Sequence, residues 1–505
     1  ELRAADVAAH LRQMLATRPG SGQATLDRIG RSGRGRDIHA VTMGQGATRV
    51  LMWSQMHGNE PTHTAVLLDL IEFLTRQPVH PAAEQIRAGC TLRIIPLLNP
   101  DGAERWSRFN SQDLDVNRDA LALQTPEGRL LRDVVLDFQP DFAFNLHNQN
   151  ARTAIGDRLL PAAVSLLVPP ADASLRETES MREAKLVAAT FRAAVASHVG
   201  EMISRYPAGY MPTCFGEWVQ STGARTVLVE AGGSPGDDVR FLTQLHWFGL
   251  TSTVLAIANG SFRHTSPLEY ESLPRAAESA LFDRMIRQAT VRTPGRPDFV
   301  ADVGIDFVRG AMPGRDPGRG RIVDLGDLHT TRGQVTVGAD GRFCVPGRMA
   351  EAADLTPLSL SSFDRWTDYL VAGATTLLGR VDLTDAEQLA AVRRRNPREL
   401  YPLNVAFVAR MPTDQSIDPR WLEIVTQGTM AIDWGSHRST HWSRVYGPRG
   451  MIRRGATADL LLLHPHPKKG HHRPDVTMLS GHIIADEGEF RGPYRGRWLT
   501  ARAIS

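Results

Sequence analysis

His57 and Glu60 stand three residues apart in the stretch SQMHGNEPTHT, Ser54 to Thr64, directly after an apolar run. A catalytic zinc takes three protein ligands from His, Glu, Asp or Cys and keeps a fourth position for water. An i, i+3 pair just past a strand can aim at a common centre if the turn folds back, but two ligands are too few. Taken alone, the four residues favour a polar turn before a helix, with Glu60 suited to the positive end of the helix dipole. His147 changes the balance: it closes the apolar run DFAFNLH, 87 residues after Glu60. That is a strand end, where open α/β sheets place their ligands.

Between these residues lies NPDGAERWSRFNSQDLDVNRD, Asn99 to Asp119, a long polar loop opened by an Asn-Pro-Asp-Gly turn signal. Its Arg105, Arg108 and Arg118 are of the type that binds a carboxylate bidentately or holds an oxyanion. They could equally be solvated or paired with Asp113, Asp115 and Asp119, and composition does not choose.

The elements that must position these side chains alternate between helical and strand-like runs from residue 4 to about 262, which predicts an α/β fold. Helical spacing marks Ala4 to Thr17, His63 to Arg76 (with Pro61 near its first turn) and Asp237 to Asn259. His63 is expected on the outer part of its helix. Strand-like runs are Arg49–Ser54, Thr91–Leu98, Asp141–His147 and Arg225–Glu230. Nearly continuous apolar runs of this length suit strands covered on both faces. The expected fold class is therefore α/β: a mixed, mostly buried sheet with helices on both faces, followed by a β-rich accessory domain. Domain 1 spans 1–262, a helical linker 263–295 (carried by RAAESALFDRMIRQA, Arg275 to Ala289) and the accessory domain 296–505.

With 505 residues, 42% hydrophobic and 22% charged, the chain is long enough for about two to four domains. Its 58 Lys and Arg against 55 Asp and Glu are scattered, a poor footprint for nucleic acid. Cys90, Cys214 and Cys344 are too few and too dispersed for a disulfide scaffold. No apolar run reaches membrane-spanning length, Trp247 to Gly260 being the longest candidate. The chain begins at Glu1, so a removed leader is an open expectation, and with it either a bacterial cytoplasm or a periplasmic or secreted location.

Six motifs in order, His57-x-x-Glu60, Asn99-Pro-Asp-Gly102, Arg108-Phe-Asn110, DLDVNRD with Asn117-Arg118, NLH ending in His147, and TVLVEAGG with Glu230, resemble the zinc carboxypeptidase family, peptidase family M14. The resemblance covers about residues 35 to 258. It implies zinc held by His57, Glu60 and His147, with Glu230 as general base and proton shuttle. It implies Arg108 at the oxyanion, and Asn117 with Arg118 gripping the substrate's terminal carboxylate. Family members often carry a capping tyrosine about twenty residues before the catalytic glutamate; Tyr210, with Tyr206 as the other choice of register, stands near that place. The digestive enzymes' pocket pattern is absent, which implies a bacterial-type relative.

From about 296 the chain more weakly resembles the small β-domain of amidohydrolases. The H-x-H metal pair expected after CVPG is replaced by RMAEAADLTPLS, and the rest is too short for an eight-stranded barrel. The expectation is a catalytically degenerate region serving packing, homo-oligomerisation or the shape of the cleft. HPHPKKGHH (His464 to His472) and HRSTHW (His437 to Trp442) read as solvated loops.

The leading functional expectation is a zinc metallocarboxypeptidase acting on the C-terminal bond of peptides or N-acyl amino acids. A zinc amidase or deacylase on cell-wall peptides or acylated amino acids is the second, and a non-catalytic peptide-binding protein the third.

Overall fold

A computed structural model of the chain describes residues 4–17, 24–234 apart from 77, 157–158 and 208, and 239–292 apart from 279. It also describes 297–307, 320–346 apart from 340 and 342, and short segments beyond. The chain divides into two compact units, Glu1–Leu281 and Phe282–Ser505.

The first unit opens with α1 (Ala4–Thr17), β1 (Ala24–Arg31), β2 (Asp37–Gly44) and β3 (Thr48–Ser54), then α2 (Thr62–Thr75), α3 (Pro81–Gly89) and β4 (Cys90–Ile95). It continues with α4 (Pro100–Arg105), α5 (Pro126–Phe138), β5 (Phe142–Asn148), β6 (Ala154–Ile155), β7 (Val164–Leu167) and α6 (Glu179–Val199). It closes with β8 (Ile203–Arg205), α7 (Phe215–Ser221), β9 (Arg225–Ala231), α8 (Val239–Ala258), α9 (Pro267–Glu271) and β10 (Ala276–Ala277). Several helix starts follow local chemistry. Asn99 Oδ1 accepts from Gly102 N, Thr125 Oγ1 from Gly128 N and Thr178 Oγ1 from Met181 N, and α3, α4, α5 and α9 carry proline in the first turn.

Eight strands form one sheet in the order β1-β2-β4-β3-β5-β9-β7-β8. β3, β5 and β9 are neighbours and parallel, while β1, β2 and β7 bring antiparallel pairings, so the sheet is mixed as expected. The two-residue side-chain period feeds two cores. Val50 and Met52 of β3, Phe142, Phe144 and Leu146 of β5, and Val227 and Val229 of β9 join the layer of α2, α6 and α8. Leu51 and Trp53 of β3 and Ala143 of β5 join the layer of α5 and α7. The central strands are therefore apolar on both faces, which explains their unbroken hydrophobic runs. Among the described residues one helix, α8, is long and apolar enough to cross a membrane by length and composition; here Leu242, Leu245, Leu250, Val254 and Ile257 lie buried in the first core.

The span 263–295 is not a helical linker. Phe262, Tyr270 and Leu273 pack into the first core, and the Tyr270 hydroxyl accepts from Val168 N at 3.0 Å. Beyond them the run expected to be helical forms β10 and then β11 (Leu281–Val291), in which Leu281, Asp283 and Met285 are buried and alternate with half-buried Phe282 and Arg284. Cross-strand pairing with β12 (Phe299–Phe307) overrides the helix propensity of this Ala- and Arg-rich stretch. The remaining named elements of the second unit are strands. β13 (Gly320–Gly326) pairs with β12, β14 (Arg332–Gly338) with β11, and β15 (Phe343–Pro346) with β11 and with Leu460–Leu463. Their core is Ile286, Val291, Val303, Ile305, Ile322 and the buried Cys344. His437–Trp442 and His464–His472 lie outside the described residues.

Candidate metal centre

Three adjacent parallel strands end side by side, which gathers residues far apart in sequence. His147 and Glu230 are register partners on β5 and β9, and β3 hands over to the segment carrying His57 and Glu60 beside them. Gln55 takes a left-handed conformation (φ 53°), turning the chain, and its Nε2 donates to Gly58 O at 2.8 Å. Asn99 then stitches this turn to the next motif, its backbone N donating to Gln55 O and its Nδ2 to Met56 O, both at 3.1 Å. A Cβ added at Gly58 would lie 2.0 Å from Gly102 C. The HGNE and NPDG motifs are thus pressed backbone to backbone, which requires glycine on the first.

His57 Nδ1 is 2.8 Å from Glu60 Oε1, His147 Nδ1 is 2.8 Å from Glu60 Oε2, and the two Nδ1 atoms are 3.2 Å apart. All three residues are buried. Donors about 2.0–2.1 Å from a tetrahedral zinc sit about 3.3 Å from one another, so this triangle needs only a slight expansion to hold the ion. The other nitrogen of His57, Nε2, is 3.0 Å from Asp115 Oδ1. A hydrogen on Nε2 shared with that carboxylate leaves the Nδ1 lone pair for the metal. Asp115 is anchored in turn: Oδ1 accepts from Asn117 N at 2.9 Å, and Oδ2 from Arg108 Nε at 3.0 Å.

The charges call for a cation. Burial alone would depress His57, yet the Glu60 charge and the hydrogen bond to Asp115 outweigh it and push the imidazole up to about 9. Burial opposes ionisation of Glu60, but His57 and His147 hold it well below the usual carboxylate range. His147 is lowered by burial. A metal would compete for the positive charge that a proton supplies here. Glu230 moves the other way: burial, with the Glu60 charge, raises it well above an ordinary glutamate, and its Oε2 is buried without a hydrogen-bond partner.

The family model for zinc carboxypeptidase matches residues 8–222, which include all three donors and the Arg108 to Arg118 loop. Family and donor set together assign Zn2+ to His57, Glu60 and His147. Among curated proteins, carboxypeptidase 2 of Trichophyton rubrum is 28% identical over 110 residues, covering 22% of this chain and 20% of that protein. The probable carboxypeptidase 2 of Arthroderma benhamiae is 26% identical over 110 residues, with the same 22% and 20% coverage. The match spans about a fifth of the length of these relatives. A solved metallo-carboxypeptidase from Burkholderia cenocepacia is similar over 51% of this chain and 69% of its own, at 18% identity and a TM-score of 0.42. Carboxypeptidase A from Helicoverpa armigera is similar over 52% and 74%, at 16% identity and a TM-score of 0.42.

In the first unit the donors open onto a cleft of about 430 Å³. Arg108, Asn117, Tyr206, Tyr210 and Glu230 line it too. Arg108 Nη1 reaches to 3.2 Å from His57 Nδ1, while Asp115 fixes the other side of the guanidinium. Asn117 Oδ1 accepts from Phe215 N at 3.0 Å. Arg118 does not line the cleft; its Nη1 donates to Asn117 O at 2.8 Å and to Cys214 Sγ at 3.1 Å. Arg105 is paired with Asp113 at 3.0 Å, so of the three loop arginines only Arg108 faces the metal donors. The Tyr206 hydroxyl donates to Glu278, and both residues line the cleft with Tyr210.

His63 is not on the outside of α2. It is 1% exposed, and its Nε2 lies 3.0 Å from Nδ1 of His246 on α8, which covers the first turn of α2. It is not one of the three donors, although it lies behind them, within hydrogen-bond reach of the His147 backbone. Sequence reasoning missed Asp115 as the partner of His57, because an aspartate among arginines carries no mark of which cation or ring it will meet. It also missed Asn145, Glu217 and Glu278 in the cleft. Asn145 alone had a readable signal: two residues before His147 on one strand, it must share that face.

Proposed function

We propose that the first unit is a zinc metallocarboxypeptidase that hydrolyses the C-terminal peptide or amide bond of peptides or N-acyl amino acids. The observation that carries this is the buried His57, Glu60 and His147 triangle opening, with Glu230 and its unpartnered Oε2, onto one cleft. Zinc bound there supplies Lewis acidity toward a carbonyl oxygen and brings a water toward ionisation near neutral pH. Glu230 in its ionised form, made a stronger base by burial, accepts the proton of the attacking water and hands that proton to the leaving amine as the C–N bond breaks. Arg108 donates to the carbonyl oxygen as negative charge builds, a service worth most in the transition state. Asp115 holds Arg108 and His57 in place for this. Asn117 and Arg118 receive the terminal carboxylate, Arg118 by leaving Cys214, and Tyr210 or Tyr206 covers the bound residue.

Replacing Glu230 with Gln tests this reading. Turnover of a blocked dipeptide should fall by at least about a hundredfold with zinc content unchanged; unaltered hydrolysis would remove Glu230 from the reaction.

The second reading, a zinc amidase or deacylase that does not need a terminal carboxylate, draws on Arg118, which is engaged with Asn117 O and Cys214 Sγ rather than lining the cleft. Equal rates on a free C-terminal acid and its amide would favour it.

A further inference from the structure

Asn145 lies in the middle of the sheet and is fully buried, yet neither its Oδ1 nor its Nδ2 has a hydrogen-bond partner. Buried amides are nearly always satisfied, so an orphan of this kind asks for a ligand. The side chain lines the cleft, on the same face of β5 as His147. Across from it, the nearest atom that a Cβ on Gly216 would meet is Asn145 Nδ2 at 3.5 Å. The start of α7 therefore leaves that flank of the amide uncovered. The next residue, Glu217, also lines the cleft and is only 7% exposed. Backbone amides of Met211 and Glu217 and the Arg118 charge favour its ionised form, but burial outweighs them and pushes it up to about 7. Leu167, Leu228 and Cys214 line the cleft with these polar groups.

An apolar wall with an amide and a carboxyl on it suits an aliphatic stem carrying a charged head. The sign of that head follows from the charges in the cleft. Glu217 is the carboxyl on this wall, and a cation beside it would favour its ionised form, while Arg108 is committed to Asp115 at 2.9 Å. An acidic side chain would set a second carboxylate against Glu217, and a purely aliphatic one would leave Asn145 without a partner.

We propose that Asn145 and Glu217 form the recess for the side chain of the substrate's C-terminal residue, and that they select one ending in a cationic N–H donor, an ammonium or guanidinium. This rests on the metallocarboxypeptidase reading. Glu217 accepts from the cation, and Asn145 Oδ1 accepts a second hydrogen, which gives that oxygen the partner it lacks.

The test uses the zinc-loaded full chain and three N-blocked dipeptides ending in lysine, in norleucine (the same stem without the ammonium) and in glutamate. The expected kcat/KM for lysine exceeds that for norleucine by about tenfold to a hundredfold, the range of a hydrogen bond to a charged group, and glutamate is poorest. Glu217→Gln should remove most of that advantage, read as the lysine-to-norleucine ratio of kcat/KM within the variant, and Asn145→Ser should lower the same ratio. Norleucine cleaved as fast as lysine by the unaltered chain overturns the proposal and leaves the carboxypeptidase reading intact, since the terminal residue is still released. Release from none of the three overturns both. The lysine-to-norleucine ratio of the unaltered chain decides the matter even where a variant fails to fold.

Discussion

His57 and Asp115 meet at 3.0 Å between Nε2 and Oδ1, and this contact decides which ring nitrogen faces Glu60 and His147. The carboxylate accepts the Nε2 hydrogen, so the Nδ1 lone pair points into the donor triangle. Asp115→Asn offers an amide N–H in place of one oxygen and can no longer enforce that tautomer. Zinc affinity, measured by competition with a chelator, should fall about 10-fold to 100-fold, the usual cost of removing such a support. An unchanged affinity would mean that Glu60 and His147 orient the site without it.

Gly58 and Gly102 bring the two loops together. A Cβ on Gly58 would sit 2.0 Å from Gly102 C, with Ala103 N at 2.2 Å, and backbone cannot yield as a flexible side chain can. Gly58→Ala is expected to cost about 1–3 kcal/mol of stability and to weaken zinc binding, because His57 and Glu60 flank the displaced residue. Thermal unfolding with and without zinc checks this; a variant with unchanged melting and metal affinity would show that the turn has room.

How much of this was legible in the sequence follows from how local each feature is. β3, β5 and β9 were readable as unbroken apolar runs because they are covered on both faces, and His57, Glu60, His147 and Glu230 were readable because each stands at or just past such a run. β11 was not: the run leading into and through it, RAAESALFDRMIRQA, is rich in helix formers, and only pairing with β12, 8 to 21 residues away, made it a strand. His63 was placed on the wrong face of α2 because nothing near it in sequence announces the covering α8. Asp115, Asn145 and Glu217 are common residue types whose meaning comes from neighbours on other elements. A polar residue two positions before a strand-end ligand is a signal that could have singled out Asn145.

Arg108 is held by Asp115 on one side and presents Nη1 to the metal donors on the other. Arg108→Ala should lower kcat by about 10²–10³ while leaving zinc content near that of the unaltered chain. A change confined to KM would instead make Arg108 a binding residue with no special hold on the transition state.

His246 gives the fold an acid sensitivity away from the cleft. Burial holds its pKa at about 4 in the folded chain against 6.5 for the free imidazole, with a hydrogen bond to Ala163 O pulling weakly upward. A folded value below the unfolded one means that the unfolded chain takes up more protons between the two. Stability from this group is complete above about pH 6.5, is lost as pH falls toward 4, and changes no further below that. The slope approaches about 1.4 kcal/mol per pH unit within that window. Denaturant melts from pH 7 to pH 4 should show a shallower decline for His246→Gln than for the unaltered chain; parallel declines would contradict the assignment.

The central claim is that zinc at His57, Glu60 and His147 serves a reaction directed at a free C-terminus. The most direct measurement compares an N-blocked dipeptide bearing a free C-terminal acid with its C-terminal amide, before and after zinc is stripped with a chelator and restored. The expected result is release of the terminal residue from the acid only, abolished without zinc and regained with it. Hydrolysis that survives loss of zinc, or that proceeds equally on acid and amide, would contradict it.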